Sequence, residues 1–329
     1  LMYYKGEGVP EDKAEAARLY QLAADQGNAK AQSNLGCMYH KGDGVEQNYE
    51  KAVELYEKAV AQNDPDAQLN LGLMCEQGQG TPVDKERVVD LYTKSAENGN
   101  AKAQFNLGVL YHNGIKGILE KNNKKAIHYY SLAAEQGIAK AQFNLGVLFS
   151  KGDTDVPVDK KRAVQLLQLA ADQGDEDAQL NLGAMYAKGE GVSEPDKKKT
   201  CELYKKAAKQ GNPKAQYNLA VMYSKGDGVD KNNKKAAKYY QKAADQDLPQ
   251  AAFNLGVLYF KGSPELPADK EKAAELFEKT TVLNPNNSKA LYNLAIMHMK
   301  GEGVEKDEVK AREYFEKAAQ LNNKDALLN

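Results

Sequence analysis

The sequence predicts an all-α fold, a solenoid of stacked helix-turn-helix repeats. Three observations predict it. First, the triplet Asn-Leu-Gly or Asn-Leu-Ala recurs from Asn34, Asn70, Asn106, Asn144, Asn181, Asn218, Asn254 and Asn293, at steps of 36, 36, 38, 37, 37, 36 and 39 residues. A period of roughly 20–50 residues is the mark of a repeat array. Second, apolar residues fall at helical spacing twice in each period. Third, each run is bounded by residues that start or stop helices.

The period divides the 329 residues into a partial repeat, 1–28, eight full repeats, 29–64, 65–100, 101–138, 139–175, 176–212, 213–248, 249–287 and 288–323, and a partial repeat, 324–329. Such an array is one body, because each repeat buries its apolar face only against its neighbours. The opening Met2-Tyr3-Tyr4-Lys5-Gly6-Glu7-Gly8-Val9 matches Met38-Tyr39-His40-Lys41-Gly42-Asp43-Gly44-Val45. The closing Asp325-Ala326-Leu327-Leu328-Asn329 matches Asp66-Ala67-Gln68-Leu69-Asn70. Neither end has the polar capping repeat with which solenoids finish, so the sequence is expected to be a window onto a longer array.

The elements of one repeat follow in order. In 29–64, Ala31, Leu35 and Tyr39, with Met38 beside them, form one face of a first helix, helix A. Gly36 stands in mid-helix, where glycine costs about 1 kcal/mol against alanine. A close approach of the second helix, helix B, is the predicted reason, and Ala220 and Ala295 are the only replacements. Gly42-Asp43-Gly44 ends helix A, since glycine is favoured just past a helix. Helix B is announced in every copy by Asp or Asn four residues before its first apolar position: Asp12, Asn48, Asp84, Asn122, Asp159, Asp196, Asn232, Asp269 and Asp307. These side chains accept hydrogen bonds from the free N–H groups of a first turn. Apolar spacing follows, as in Ala52, Leu55, Tyr56 and Ala59, and the helix closes on Gly27, Gly99, Gly137, Gly174 or Gly211.

Length varies mainly in the A–B loop. From the first turn glycine to the first apolar position of helix B there are 10 residues after Gly42, 12 from Gly114 to Ala126, and 11 from Gly152 to Ala163. From the helix-B aromatic position to the next asparagine the count is 14, except 16 from Phe277 to Asn293.

The pattern Ala-x-Ala-Gln-x-Asn-Leu-Gly-x-Met-Tyr-x-x-Gly-x-Gly-Val, followed by Lys-Ala-x-x-x-Tyr-x-x-Ala-Ala-x-Gln-Gly, resembles the Sel1-like repeat, a variant of the tetratricopeptide repeat with a longer A–B loop. The resemblance spans the whole chain. It implies a right-handed α/α superhelix acting as an adaptor or assembly scaffold, with helix A lining the concave face. Secreted members often carry a cysteine pair per repeat, and this chain does not.

In that superhelix, three sets of helix-A positions are expected to face the groove. The asparagines, Asn34, Asn70, Asn106, Asn144, Asn181, Asn218, Asn254 and Asn293, offer both donor and acceptor. They suit the backbone of an extended peptide, or equally the groups of an adjacent helix. Lys30, Lys102, Lys140, Lys214 and Lys289 stand four residues earlier on the same helix face and suit a carboxylate, or else are simply solvated. Phe105, Phe143, Tyr217, Phe253 and Tyr292 precede their asparagines, as do Leu69 and Leu180. Val109, Val147, Ala184, Val221, Val257 and Ile296 lie two residues after the Leu or its equivalent. These apolar stripes mark either an interaction floor or helix A packed on helix A.

Composition excludes other classes. The 45 Lys and Arg balance 46 Asp and Glu, a net charge of -1, which argues against nucleic acid. Lys197-Lys198-Lys199 reads as a solvated start of helix B. No apolar run approaches the roughly 18–20 residues of a membrane span. The odd set Cys37, Cys75 and Cys201 is no disulfide framework and favours a reducing compartment. His40, His112, His128 and His298 have no metal-ligand spacing, so no metal is expected. The glycine pairs such as Gly189/Gly191 follow helices, so no dinucleotide cofactor is expected either. A non-enzymatic adaptor is the predicted function, its partner a protein or peptide segment with hydrophobic and acidic residues. The alternative is a structural subunit touching neighbours along its length.

Overall fold

A computed structural model describes residues 2–153 and 155–321. The last partial repeat, 324–329, lies outside the described residues. The A helices are α1 (Met2–Lys5), α3 (Ala29–Lys41), α5 (Pro65–Gln77), α7 (Ala101–Asn113), α9 (Ala139–Lys151), α11 (Glu176–Lys188), α13 (Pro213–Lys225), α15 (Pro249–Lys261) and α17 (Ser288–Lys300). The B helices are α2 (Lys13–Asp25), α4 (Tyr49–Val60), α6 (Lys85–Glu97), α8 (Asn123–Glu135), α10 (Lys160–Asp172), α12 (Lys197–Gln210), α14 (Asn233–Ala244), α16 (Lys270–Leu283) and α18 (Glu308–Gln320). Among the described residues the β features are three isolated bridges, Ile115 with Leu119, Asp153 with Val156 and Ser263 with Leu266. They sit in the longer A–B loops. Among the described residues no helix is long and apolar enough to cross a membrane.

The predicted helix-B caps form. Asp12, Asn48, Asp84, Asn122, Asp196, Asn232, Asp269 and Asp307 each accept from a first-turn N–H, and Asp159 accepts from Arg162 N at 2.9 Å. Most A helices are capped too, by Asn28, Asp64, Asn100, Asp175, Asn212 and Asn287. Ile138 and Leu248 take that place in two repeats and make no cap bond.

The mid-helix glycines are contact points. A Cβ on Gly36 would lie 2.9 Å from the Tyr56 ring, and on Gly72 or Gly108 2.6 Å from Tyr92 or Tyr130. Gly183 meets Tyr204 at 2.7 Å and Gly256 meets Phe277 at 2.8 Å in the same way. These five A helices therefore lie against the aromatic ring of their own B helix, the close approach that the sequence predicts. Tyr56, Tyr92, Tyr130 and Phe277 are among the largest side chains that are fully buried. Burying a side chain of this kind stabilises by roughly 1.5–3 kcal/mol.

The chain divides into two compact units, residues 1–166 and 167–329. The core of the first is built from Ala31, Leu35 and Met38 of α3, Tyr56 of α4, Leu71 and Met74 of α5 and Tyr92 of α6. The core of the second is built from Tyr204, Leu219, Tyr240 and Leu255, then Phe277, Leu294 and Met297. In both units consecutive helices pack antiparallel neighbour on neighbour, so the apolar stripe of each pair is covered by the next.

The turn after helix B carries a left-handed residue. Gly27, Gly99, Gly137 and Gly174 have φ of 85 to 92°, and a Cβ there would touch nothing within 4 Å. Asn63 stands in the same place with φ 61° and Asp247 with φ 58°. A left-handed conformation disfavours a residue with a Cβ, an effect partly offset by the greater chain entropy of glycine. Asn63→Gly is therefore expected to stabilise by roughly 0.5–1 kcal/mol in urea unfolding. A lower midpoint for the variant would contradict this account.

Candidate partner-binding site

All eight repeat asparagines are half-buried on A helices, each beside a buried leucine. The 14-residue spacing has a structural cause. For Asn34, Asn70, Asn106, Asn144, Asn218 and Asn254 the residue 14 before is a tyrosine of the preceding B helix, buried at all but Tyr20. Asn254 Nδ2 donates to the Tyr240 hydroxyl at 3.4 Å and to the Tyr217 hydroxyl at 3.3 Å. Asn34, Asn106, Asn144 and Asn218 lie beside Tyr20, Tyr92, Tyr130 and Tyr204, and the Tyr92 hydroxyl donates to Glu76 at 2.8 Å. At each tyrosine, burial pushes the pKa up and the amide pulls it partly back. Tyr56 lies towards Asn70, but its buried hydroxyl closes no hydrogen bond of ordinary geometry. Where helix B has no hydroxyl the pairing is lost. Leu167 stands 14 residues before Asn181, whose amide turns to the Asp177 carbonyl of its own helix at 2.8 Å.

The rings before the asparagines are half-buried, and four of them lean on helix B of their own repeat. Phe105 lies 6.0 Å from Tyr130, Tyr217 5.8 Å from Tyr240, Phe253 5.7 Å from Phe277, and Tyr292 5.8 Å from Phe315, between centroids. One face of each ring belongs to the core. Packing of helix A on helix A is the smaller part, seen at Tyr217, which also receives the Asn254 amide.

The lysines are all exposed, and their surroundings differ. Lys30 pairs with Asp66, the residue at its own position in the next repeat, and so is already matched to a carboxylate. Lys140 lies 5.8 Å from the Phe143 ring centroid. Lys214 stands at the rim of a cleft, described next.

These positions converge at one cleft in each unit. In the first unit, Val109 of α7 meets Phe143, Asn144 and Val147 of α9 around a cavity of about 340 Å³. His112, Lys151 and Asp153 form its polar edge. His112 Nδ1 is 2.9 Å from Asn123 Oδ1, and Asn123 donates to Asp153, which ties the edge together. In the second unit, Leu180, Asn181 and Ala184 of α11 meet Lys214, Tyr217 and Asn218 of α13 around about 480 Å³. Leu248 and Gln250 close the far side. Both clefts have an apolar floor and amide walls. Among the described residues no group of three or more His, Cys, Asp or Glu is placed to hold a metal. Cys37, Cys75 and Cys201 are free thiols, and burial pushes Cys75 and Cys201 up, keeping them protonated.

One polar feature escapes the sequence reading. The glutamine two residues before the asparagine is buried at Gln32, Gln68, Gln104, Gln142, Gln179 and Gln216. Except at Gln68, its Nε2 donates to a last carbonyl of the preceding B helix, as from Gln32 to Ala24 O at 3.1 Å and from Gln179 to Ala171 O at 3.2 Å. Its Oε1 accepts from an amide side chain at the end of its own helix B, Gln62 to Gln32 at 2.9 Å, Asn98 to Gln68 at 3.2 Å and Gln210 to Gln179 at 3.0 Å. One side chain thus satisfies orphan carbonyls at a helix end and links two B helices. The signal was its sixfold recurrence within the quoted motif.

Stacked helix pairs with the same surface positions repeated along them define the class, an α-helical repeat solenoid. The Sel1 repeat model matches residues 1–28, 29–64, 65–100, 101–138, 139–175, 176–212, 213–248, 249–280 and 288–323. The chain belongs to the Sel1 repeat family. It is 34% identical to a protective antigen present in uropathogenic Escherichia coli strains, whose crystal structure displays an SLR fold. That match covers 99% of this chain and 68% of the other, with a TM-score of 0.87. A Sel1 repeat protein from Oxalobacter formigenes is 29% identical over 94% of this chain and 87% of its own, with a TM-score of 0.68. No curated protein matches the chain.

Proposed function

We propose that the protein is a non-enzymatic interaction scaffold that binds a segment of another protein along its A helices. The observation that carries this is the recurrence of one cleft type in both units, each built from the asparagine, the residue before it and the small apolar residue three positions on. The apolar floors take hydrophobic side chains, and the amides of Asn144, Asn181 and Asn218 take backbone groups without reading sequence. Exposed Lys214 adds a preference for acidic residues. The three free thiols suit a reducing compartment.

The test is selection of peptides from a random displayed library on the intact protein, followed by affinity measurement on variants. Selected peptides are expected to combine apolar and acidic residues. Tyr217→Ala is expected to weaken them by about tenfold or more, as truncation of an aromatic anchor does, and Asn181→Ala by less. The reading fails if Phe143→Ala, Tyr217→Ala and Asn181→Ala all leave affinity unchanged.

A further inference from the structure

The B helices of the second unit carry a charge pattern that the clefts do not use. On α12 and α14 the exposed charged side chains are nine lysines, Lys197, Lys198, Lys205, Lys206, Lys209, Lys234, Lys235, Lys238 and Lys242, and one acid, Glu202. The two helices share one apolar core, through Cys201 and Tyr204 on one and Ala237 and Tyr240 on the other. Lys198 and Lys234 are 36 residues apart, as are Lys206 and Lys242, so they hold equivalent places in successive repeats.

This pattern works against the fold. Lysines in a first turn oppose the positive end of the helix dipole. Lys205 with Lys209, Lys234 with Lys238 and Lys238 with Lys242 are like charges at i,i+4, which destabilise a helix. On two other B helices a lysine pairs within its own helix, Lys58 with Glu54 on α4 and Lys94 with Asp90 on α6. Among the described residues Lys198, Lys206, Lys209, Lys234, Lys238 and Lys242 have no ion-pair partner, while Lys197 reaches Asp227 at 2.5 Å. A chain of net charge -1 has thus gathered unpaired positive charge on one helical face.

We propose that the exposed face of α12 and α14 is a second docking surface, for an acidic protein segment. The chemistry favours carboxylates. The face has no arginine for bidentate phosphate contacts and no exposed aromatic ring on which bases stack. It exposes no large apolar residue that would enter a lipid interface. Lysine ammonium groups one helical turn apart match a run of Asp and Glu, and their attraction falls with salt.

The experiment measures fluorescence anisotropy of a labelled oligoglutamate peptide of about a dozen residues, at an ionic strength of about 0.15 M. The comparison is between the intact protein and the fourfold variant Lys198→Glu, Lys206→Glu, Lys234→Glu and Lys242→Glu. The intact protein is expected to bind, and the variant to bind at least about tenfold more weakly. The fourfold Lys→Arg variant is expected to retain binding, and Lys→Gln at the same sites to lose it, which separates loss of charge from damage to the fold. Equal affinity of the intact and charge-reversed proteins overturns the proposal. So does tighter binding of phosphatidylserine vesicles or duplex DNA than of the peptide under the same conditions.

Discussion

Raising the pH above 10 is expected to unfold this protein steeply. The cause is the row of tyrosines buried between the helices. An unfolded tyrosine loses its proton near pH 10. In the fold, burial pushes Tyr130 up to about 12, and it pushes Tyr56, Tyr92, Tyr204 and Tyr240 in the same direction. The sign follows from proton counting. Above pH 10 the unfolded state binds fewer protons than the folded state, so stability is full below 10 and falls as pH rises towards the folded value. Tyr130 alone is expected to lose roughly 2–3 kcal/mol between pH 10 and 12. Urea unfolding followed by far-ultraviolet circular dichroism at steps across pH 8–11 would show the fall, and phenolate absorbance would appear together with loss of helix. Ionisation of all 19 tyrosines near pH 10 with the helical signal intact would contradict the account. Tyr130→Phe should flatten the slope.

Gly44→Ala is expected to destabilise by roughly 2–4 kcal/mol, and Gly99→Ala by only about 1–2 kcal/mol. The two glycines share a left-handed backbone, with φ 71° and 85°. They differ in what a side chain would meet. A Cβ on Gly44 would lie 2.4 Å from the carbonyl carbon and oxygen of Lys13, whereas one on Gly99 meets nothing within 4 Å. The second glycine of the Gly-x-Gly turn is therefore the seat of the B helix of the preceding repeat. Gly80, Gly228 and Gly303 make the same approach to Tyr49, Lys197 and Lys270, at 2.6, 2.7 and 2.3 Å. The residue between the glycines adds an ion pair across the same joint, Asp43 with Lys13 at 3.0 Å and Glu302 with Lys270 at 3.0 Å. These pairs are part-exposed and contribute little, so the backbone contact dominates. Urea unfolding of the two variants measures the difference. Equal losses would show that backbone strain alone operates at both sites.

Much of this was legible because it is local or periodic. The nine helix-B caps needed only an Asp or Asn before an apolar run, and the mid-helix glycines announced a close neighbour without naming it. The turn glycines were less fully legible. Gly42 ends a helix, which spacing reveals, but Gly44 is required by the backbone of Lys13, 31 residues away, which spacing does not. The site positions were legible as a repeating surface stripe. Their partners were not, since the asparagine contacts run to the tyrosine of another helix and the glutamine contacts to two.

The sequence by itself determined that the chain is an all-helical repeat array, which residues begin and end its helices, and which stripe of each helix is buried. Those properties follow from period, caps and glycine stereochemistry, all of which act within a few residues. The tertiary structure alone decided what each half-buried amide and ring touches, and where the repeated positions converge into clefts. It also brought the lysines of two B helices onto one core. The physical reason is that these features depend on distances between residues from different helices. A count of spacing can suggest such distances, and only the packed chain sets them.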